Sequence, residues 1–320
     1  MTPAQRKIIW GSVLVILALI LPLLLTSNLL RHFLILIGIN IILVMSLDMV
    51  VGHTGLTSLG HAGFMGIGAY TCALLVMKHN FPFFIGLAAG MLHAGIFGAL
   101  VGYPSLRLKG HYFVIVTFIC GIVFNLFFTN LVGITKGPMG LPGIPPPQIG
   151  LGENFSIRIA SKLPYYYLVL VFIFLLVYIK YRCYNSRLGR ALLSIREDED
   201  LARSVGIRTH YYKVTIFVIS TAFAGLAGGL YAHYFRFIGP ESFTMLHSFD
   251  LFVMNLVGGA GTILGPIIGP LLLTVIDELS QLFKPELARI LFGVFLILII
   301  LYMPKGIMGL IRERAFNKGK

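Results

Sequence analysis

Long apolar runs, each about the length needed to cross a bilayer, recur along the whole chain and leave little of it for a water-soluble fold. Ile8 to Leu25 is apolar throughout apart from Gly11 and Ser12, and Phe33 to Val51 repeats the pattern after a short polar gap. A helix needs about 20 such residues to span the hydrocarbon core, where every backbone N–H and C=O must be satisfied within the segment. Further runs at about 62 to 77, 83 to 103, 111 to 132, 165 to 181 and 213 to 233 extend the series. With 12% charged residues and a mean hydropathy of +0.90, the chain is expected to be an all-α polytopic membrane protein. About eight to ten crossings in one membrane domain over residues 1–320 are expected, some re-entrant or broken at glycines.

Arg6 and Lys7 before the first run give it the outline of a signal peptide. No small-residue cleavage site follows before Phe33, so a first span with a cytoplasmic N-terminus is the expected reading. The net charge of +13 invites a nucleic-acid reading. However, the cations fall between the apolar runs and form no basic stripe interleaved with aromatics, which fits orientation in a bilayer. Counting crossings from a cytoplasmic start returns residues 182 to 212 to the inside, where Lys180, Arg182, Arg187, Arg190, Arg196, Arg203, Arg208 and Lys213 gather. The basic tail with Lys305, Arg312, Arg314, Lys318 and Lys320 also falls inside. Cys72, Cys120 and Cys183 are far apart and read as packing residues.

Two segments break the apolar pattern. Gly52 to Tyr70 carries Gly52, Gly55, Gly60, Gly63, Gly66 and Gly68 beside His53, Thr54, Thr57, Ser58 and His61. Irregular backbone at membrane depth survives only where protein or a hydrated cavity satisfies it, so the stretch either packs helices closely or lines a path. His53 and His61 lack a third clustered ligand for a metal. Asp48 just before them is an intramembrane carboxylate, hence a functional candidate, and is expected to cap the turn that follows. Residues 258 to 270, GGAGTILGPIIGP, form the second segment, where the glycines with Pro266 and Pro270 are expected to break or bend the helix. Gly133 to Pro164, rich in Gly and Pro, reads as an outer-face loop.

The charged stretch Arg187 to Gly206, RLGRALLSIREDEDLARSVG, holds two short helical patterns. Leu188, Ala191, Leu192 and Ile195 share one face, and Leu201, Ala202 and Val205 another. Glu197, Asp198, Glu199 and Asp200 sit where the second helix begins, favoured by the positive end of its dipole, and Gly206 is placed to end it. Such faces on a loop imply a docking surface, with Leu192, Ile195, Leu201 and Val205 anchoring two stiff helices. No GxxxxGK[ST], HExxH or GxSxG motif occurs, so the chain is not expected to be an enzyme or to hold a cofactor.

SLDMVVGHTGLTSLGHAGFMGIGAYTCALL (46 to 75), GRALLSIREDEDLARSVGI (189 to 207), FVISTAFAGLAGGLYA (217 to 232) and NLVGGAGTILGPIIGP (255 to 270) resemble the LivM-type permeases of branched-chain amino acid ABC importers. The resemblance covers most of the chain in order. It implies transport of leucine, isoleucine and valine in a bacterial inner membrane, with both termini cytoplasmic. The implied partners are a second, LivH-type permease, two LivG- and LivF-type ATPases that use the ATP, and a periplasmic amino-acid-binding protein. It also implies an EAAxxxG-like coupling helix: Asp200, Leu201, Ala202 and Gly206 hold its positions, with Asp for Glu and Leu for the first Ala. ATPase coupling is accordingly expected of Arg190, Leu192, Ile195, Glu197, Asp200, Leu201, Ala202, Val205 and Gly206. A path is expected beside Asp48, Gly52, Thr54, Gly55, Ser58, Gly60, His61, Gly258, Gly259 and Gly261. Related permeases resemble carriers of urea and short amides, which stay open as substrates. An ion-coupled secondary transporter would need more intramembrane carboxylates than Asp48 and Asp250 near spans supply.

Overall fold

Apolar runs of this length close their backbone hydrogen bonds as helices, and the computed structural model shows that arrangement over residues 15–25, 27–108, 110–149, 157–280, 293, 301 and 306–309, which are those described. Helix α1 covers Val15–Leu24. In order follow α2 (Asn28–Thr54), α3 (His61–His79), α4 (Phe83–Ser105), α5 (Gly110–Asn130), α6 (Val132–Thr135), α7 (Lys162–Tyr184), α8 (Arg187–Glu197), α9 (Glu199–Ser204), α10 (Thr209–Phe235), α11 (Met245–Gly258) and α12 (Gly265–Ser280). By length and composition, α2, α4, α5, α7 and α10 are long and apolar enough to cross a membrane, while α1, α11 and α12 are shorter apolar helices. A further apolar run in the sequence, Ile290 to Met303, which is expected to be the last span, and the cations of the tail lie almost wholly outside the described residues.

Consecutive long helices run in opposite directions, as the crossing count requires. At one end Tyr103 of α4 stacks edge-on with His210 of α10 at 5.1 Å, and Lys213 meets Glu199 at 2.7 Å. At the other end Lys162 of α7 donates to the Asn28 carbonyl of α2 at 2.9 Å, and Phe83 lies 4.8 Å from His233. The loop after α5 lies at this second end. It contributes β1 (Leu141–Pro142), paired antiparallel with β4 (Phe237–Ile238), and β2 (Gln148–Ile149), paired with β3 (Ile157–Arg158). These two-residue ladders were not legible in its Gly and Pro content.

The core is built around α10, which packs on α2, α3 and α4. A Cβ added to Gly228 would lie 1.9 Å from the Met65 carbonyl oxygen of α3, and one added to Gly68 would lie 2.2 Å from Gly225. A Cβ on Gly90 of α4 would likewise lie 2.8 Å from the Gly68 carbonyl oxygen, so small residues let three backbones approach closely, the packing mode that replaces the hydrophobic effect between helices in lipid. The outward faces of α4 and α5, with Leu92, Ile96, Ile115, Ile119 and Leu126, remain exposed and apolar.

The two irregular segments both appear as chain breaks. Helix α2 stops at Thr54, and Gly55, at φ +72°, starts a turn that ends at Gly60. His61, the first residue of α3, hydrogen-bonds through Nε2 with Ser220 Oγ at 3.0 Å, and Ser220 lies well inside α10, so this break is inside the bundle. The second break covers 259–264, before both prolines. Pro266 falls in the first turn of α12, where a missing N–H costs nothing, and Pro270 lies inside the helix. Of the glycines and prolines expected to break the helix, Gly259 and Gly261 make the turn, while the two prolines lie within α12.

Candidate functional site

Helix α8 begins where Ser186 accepts a hydrogen bond from the Gly189 N–H at 3.2 Å. Its buried residues are Gly189, Ala191, Leu192 and Ile195, so the expected apolar face is turned into the protein. Helix α9 follows directly, capped by Asp198, whose Oδ1 accepts from the N–H groups of Asp200 and Leu201 at 2.9 Å each. The acidic run does cap this helix, satisfying donors that have no partner in its first turn. Gly206, at φ +86°, closes it: its N–H reaches the Arg203 carbonyl and the Ile207 N–H the Ala202 carbonyl, a Schellman pattern that favours glycine.

One part of the expected anchoring is corrected here. Ala202 is buried, but Leu201 is 64% and Val205 71% exposed. Neighbouring helical positions point about 100° apart, so α9 lays Ala202 against the protein and turns Leu201 and Val205 outward. The anchors are therefore Leu192, Ile195 and Ala202, and the outward pair are apolar side chains left facing away. Arg190, Glu197 and Asp200 are exposed, and Arg190 bonds only locally, to the Asn185 carbonyl at 3.3 Å.

The loop is tied to α10 by Glu199, which takes hydrogen bonds from Lys213 Nζ at 2.7 Å and from Arg203 at 3.4 Å. Burial pushes the Glu199 carboxyl up, but the Lys213 hydrogen bond and charge, with Thr209 and Arg203, outweigh it and hold the group below its usual 4.5. Because the folded value is the lower one, this contribution to stability is present above the ordinary carboxylate range and is lost as pH falls through the folded value. Thermal unfolding of wild type and Glu199→Gln should therefore differ at neutral pH and converge as pH is lowered below 4.5. An undiminished difference in acid would show that the charge is not what ties the loop down.

Where α8 ends, both breaks meet an ionic cluster. Asp48 of α2 and Lys180 of α7 are buried and paired at 2.5 Å. Asp48 Oδ1 also accepts the Gly261 N–H at 2.7 Å, and Lys180 donates to the Thr262 carbonyl at 2.7 Å. Asp48 does cap a glycine turn, but it is the turn at 259–264 and not the one that follows it in sequence. Gly52 and Gly261 lie against each other, a Cβ on Gly52 falling 2.6 Å from Gly261, so Asp48, Gly52 and Gly261 converge as one site. A buried ion pair tolerates the low dielectric only because its remaining donors and acceptors find partners, as these do.

The other path candidates sit around the start of α3. Leu59 N–H donates to Thr117 Oγ1 of α5 at 3.2 Å, and a Cβ on Gly60 would lie 2.3 Å from the Thr117 carbonyl oxygen. Ala62 N–H donates to Ser248 of α11 at 3.0 Å, while Ser220 Oγ also donates to the Ser46 carbonyl. Gly258 packs on Gly265, and Gly306 on Gly259. Thr54 is satisfied by its own helix. Among the described residues, Ser58 Oγ, His61 Nδ1, both His53 ring nitrogens and the Asn255 carboxamide are buried without a hydrogen-bond partner.

Sequence reasoning missed Lys180, Arg196, Ser220 and Ser248 as members of this region. Arg196 is an exposed residue in the last turn of α8 whose guanidinium reaches the Gly52 carbonyl, and neither it nor Lys180 could be told in the sequence from the other cations of the loop, since a cation near the end of a span is also what orientation in a bilayer requires.

Residues 29–300 match the family model described as the branched-chain amino acid transport system / permease component. The chain is 36% identical to the high-affinity branched-chain amino acid transport system permease protein LivM of Escherichia coli K12, over 86% of this chain and 69% of that one. It is 30% identical to the LivH permease protein of Salmonella typhimurium LT2, over 82% of this chain and 88% of its relative. The probable LivM protein of Methanocaldococcus jannaschii is 26% identical over 85% of this chain and 90% of its own. No solved structure matches.

Proposed function

The chain belongs to the branched-chain amino acid transport permease family, and from that premise we propose that it is the membrane-spanning permease subunit of an ATP-driven importer of leucine, isoleucine and valine. Hydrolysis takes place on separate ATPase subunits, a second permease completes the membrane unit, and a binding protein delivers the amino acid from outside. The observation that carries this reading is the two-sided loop at 187–206. Leu192, Ile195 and Ala202 fix it to the bundle while Leu201 and Val205 face outward in a setting of charged residues. An apolar pair ringed by charge is the profile of a docking site, with a buried centre and a polar rim.

On this reading the loop end of the bundle is cytoplasmic. ATP-driven closure of the ATPases moves α8 and α9, and the bundle opens to either side in turn. The path runs beside the breaks at 55–60 and 259–264; the buried unpartnered polar atoms of Ser58, His61 and Asn255 support that route. The test is to solubilise the tagged chain mildly from its membrane, identify what accompanies it by mass spectrometry, and measure ATP hydrolysis and uptake with leucine and with urea. A second permease and ATPases stimulated by leucine-loaded binding protein are expected; a lone chain moving solute without ATP would overturn the assignment. Replacing both Leu201 and Val205 with Asp should lower ATPase recovery roughly tenfold or more, as loss of central contacts does, with the chain still inserted. Undiminished recovery would place the docking surface elsewhere.

A further inference from the structure

The end of α8 reaches both chain breaks through a single side chain. Arg196 Nη1 donates to the Gly52 carbonyl at 2.7 Å. Gly52 lies in the last turn of α2, whose terminal carbonyls have no partner within the helix and carry the negative end of its dipole, so a cation there caps α2. The same side chain passes over the first residue of one break and into the middle of the other. A Cβ on Gly55 would lie 3.4 Å from Arg196 Cγ, and one on Gly261 would lie 3.0 Å from Arg196 Nη1. Gly55 and Gly261 both have positive φ, at +72° and +77°, and mark the points where α2 ends and where the α11–α12 connection turns. Beneath them Asp48 and Lys180 hold α2, α7 and the 259–264 turn together.

We propose that Arg196 is the positioning residue through which the loop moves the two broken segments: its guanidinium holds the end of α2 and the 259–264 turn to α8, so that the three shift as one body. Arg190, exposed and bonded only to Asn185, has no such reach. This deepens the importer reading and rests on it. The rigidity comes from a charge-assisted hydrogen bond to a helix-terminal carbonyl, while a methionine of similar length would keep the stem over Gly55 and lose the donor.

The experiment uses the full complex of permeases, ATPases and binding protein in proteoliposomes, with leucine as substrate, and measures leucine moved per ATP hydrolysed. Arg196→Met should lower that ratio roughly tenfold, the scale of one lost charge-assisted hydrogen bond, and Arg196→Lys, which retains a donor, should recover most of it. A second readout needs no transport: spin labels at Ser194→Cys and Leu264→Cys should keep one narrow distance with and without trapped ATP, and the distribution should broaden when Arg196→Met is added. An unchanged ratio in Arg196→Met, or a Ser194 to Leu264 distance that changes on ATP trapping in the otherwise wild-type chain, would overturn the joint while leaving the importer standing. A wild-type complex with no ATP-dependent leucine uptake would overturn both.

Discussion

Lys180→Met is expected to leave little folded protein in the membrane. The substitution removes the ammonium from a site where Lys180 is 1% exposed and leaves Asp48, at 0% exposure, with the Gly261 N–H as its remaining partner. Breaking one side of a buried pair costs about 3–5 kcal/mol, because the surviving charge keeps its desolvation penalty without its compensation. Against a total stability of roughly 5–15 kcal/mol that is enough to deplete the native state. The same reasoning makes the double variant informative. Asp48→Asn together with Lys180→Met removes both charges and keeps an oxygen acceptor for the Gly261 N–H, so most of the loss should be recovered, replacement of a whole pair often being neutral. Yield and thermal unfolding in mild detergent for the four members of this cycle give the coupling directly. A single variant as stable as wild type, or a double variant as poor as the sum of the singles, would mean that the pair is not what holds the 259–264 turn to α2 and α7.

Gly228→Ala should be the most damaging glycine-to-alanine substitution in α10, although the helix itself favours it. In an isolated helix alanine is better than glycine by about 0.8–1 kcal/mol. Here the new methyl would lie 1.9 Å from the Met65 carbonyl oxygen and 2.9 Å from Ala69 N, both backbone atoms, so no side chain can swing aside. Helices α3 and α10 must separate, and the neighbouring approach of Gly68 to Gly225 opens with them; the expected loss exceeds the usual overpacking cost of about 1–3 kcal/mol. Gly133→Ala provides the contrast. Gly133 sits exposed in α6 with nothing within 4 Å of an added Cβ, so the same chemical change should be neutral or mildly stabilising. If thermal unfolding ranks the two variants equally, helix propensity and not backbone approach governs the α3–α10 contact.

The extent of the membrane helices was legible because burial in lipid is a property of a run of residues. The expected spans at 83 to 103, 111 to 132 and 165 to 181 became α4, α5 and α7 with ends shifted by a few residues. The two short helices of the charged loop were legible for a similar reason. Their caps, Ser186, Asp198 and Gly206, act on backbone groups only a few residues away. The glycines at 52 to 68 announced close backbone approach or irregular chain, and both are present, but their count alone could not say which glycine does which.

What the sequence by itself determined about this protein is thus its solvent, the alternation of its helices and the local form of the loop, all set by runs, periods and caps that act over one or two helical turns. Only the tertiary structure decided which way the loop faces, because Ala202 and Leu201 are both apolar neighbours and the space beside α10 selects which one is buried. It also decided where Asp48 finds its partners. The Gly261 N–H lies 213 residues away and Lys180 132 residues away, and a carboxylate in a medium that cannot solvate it accepts whichever donors folding brings within reach.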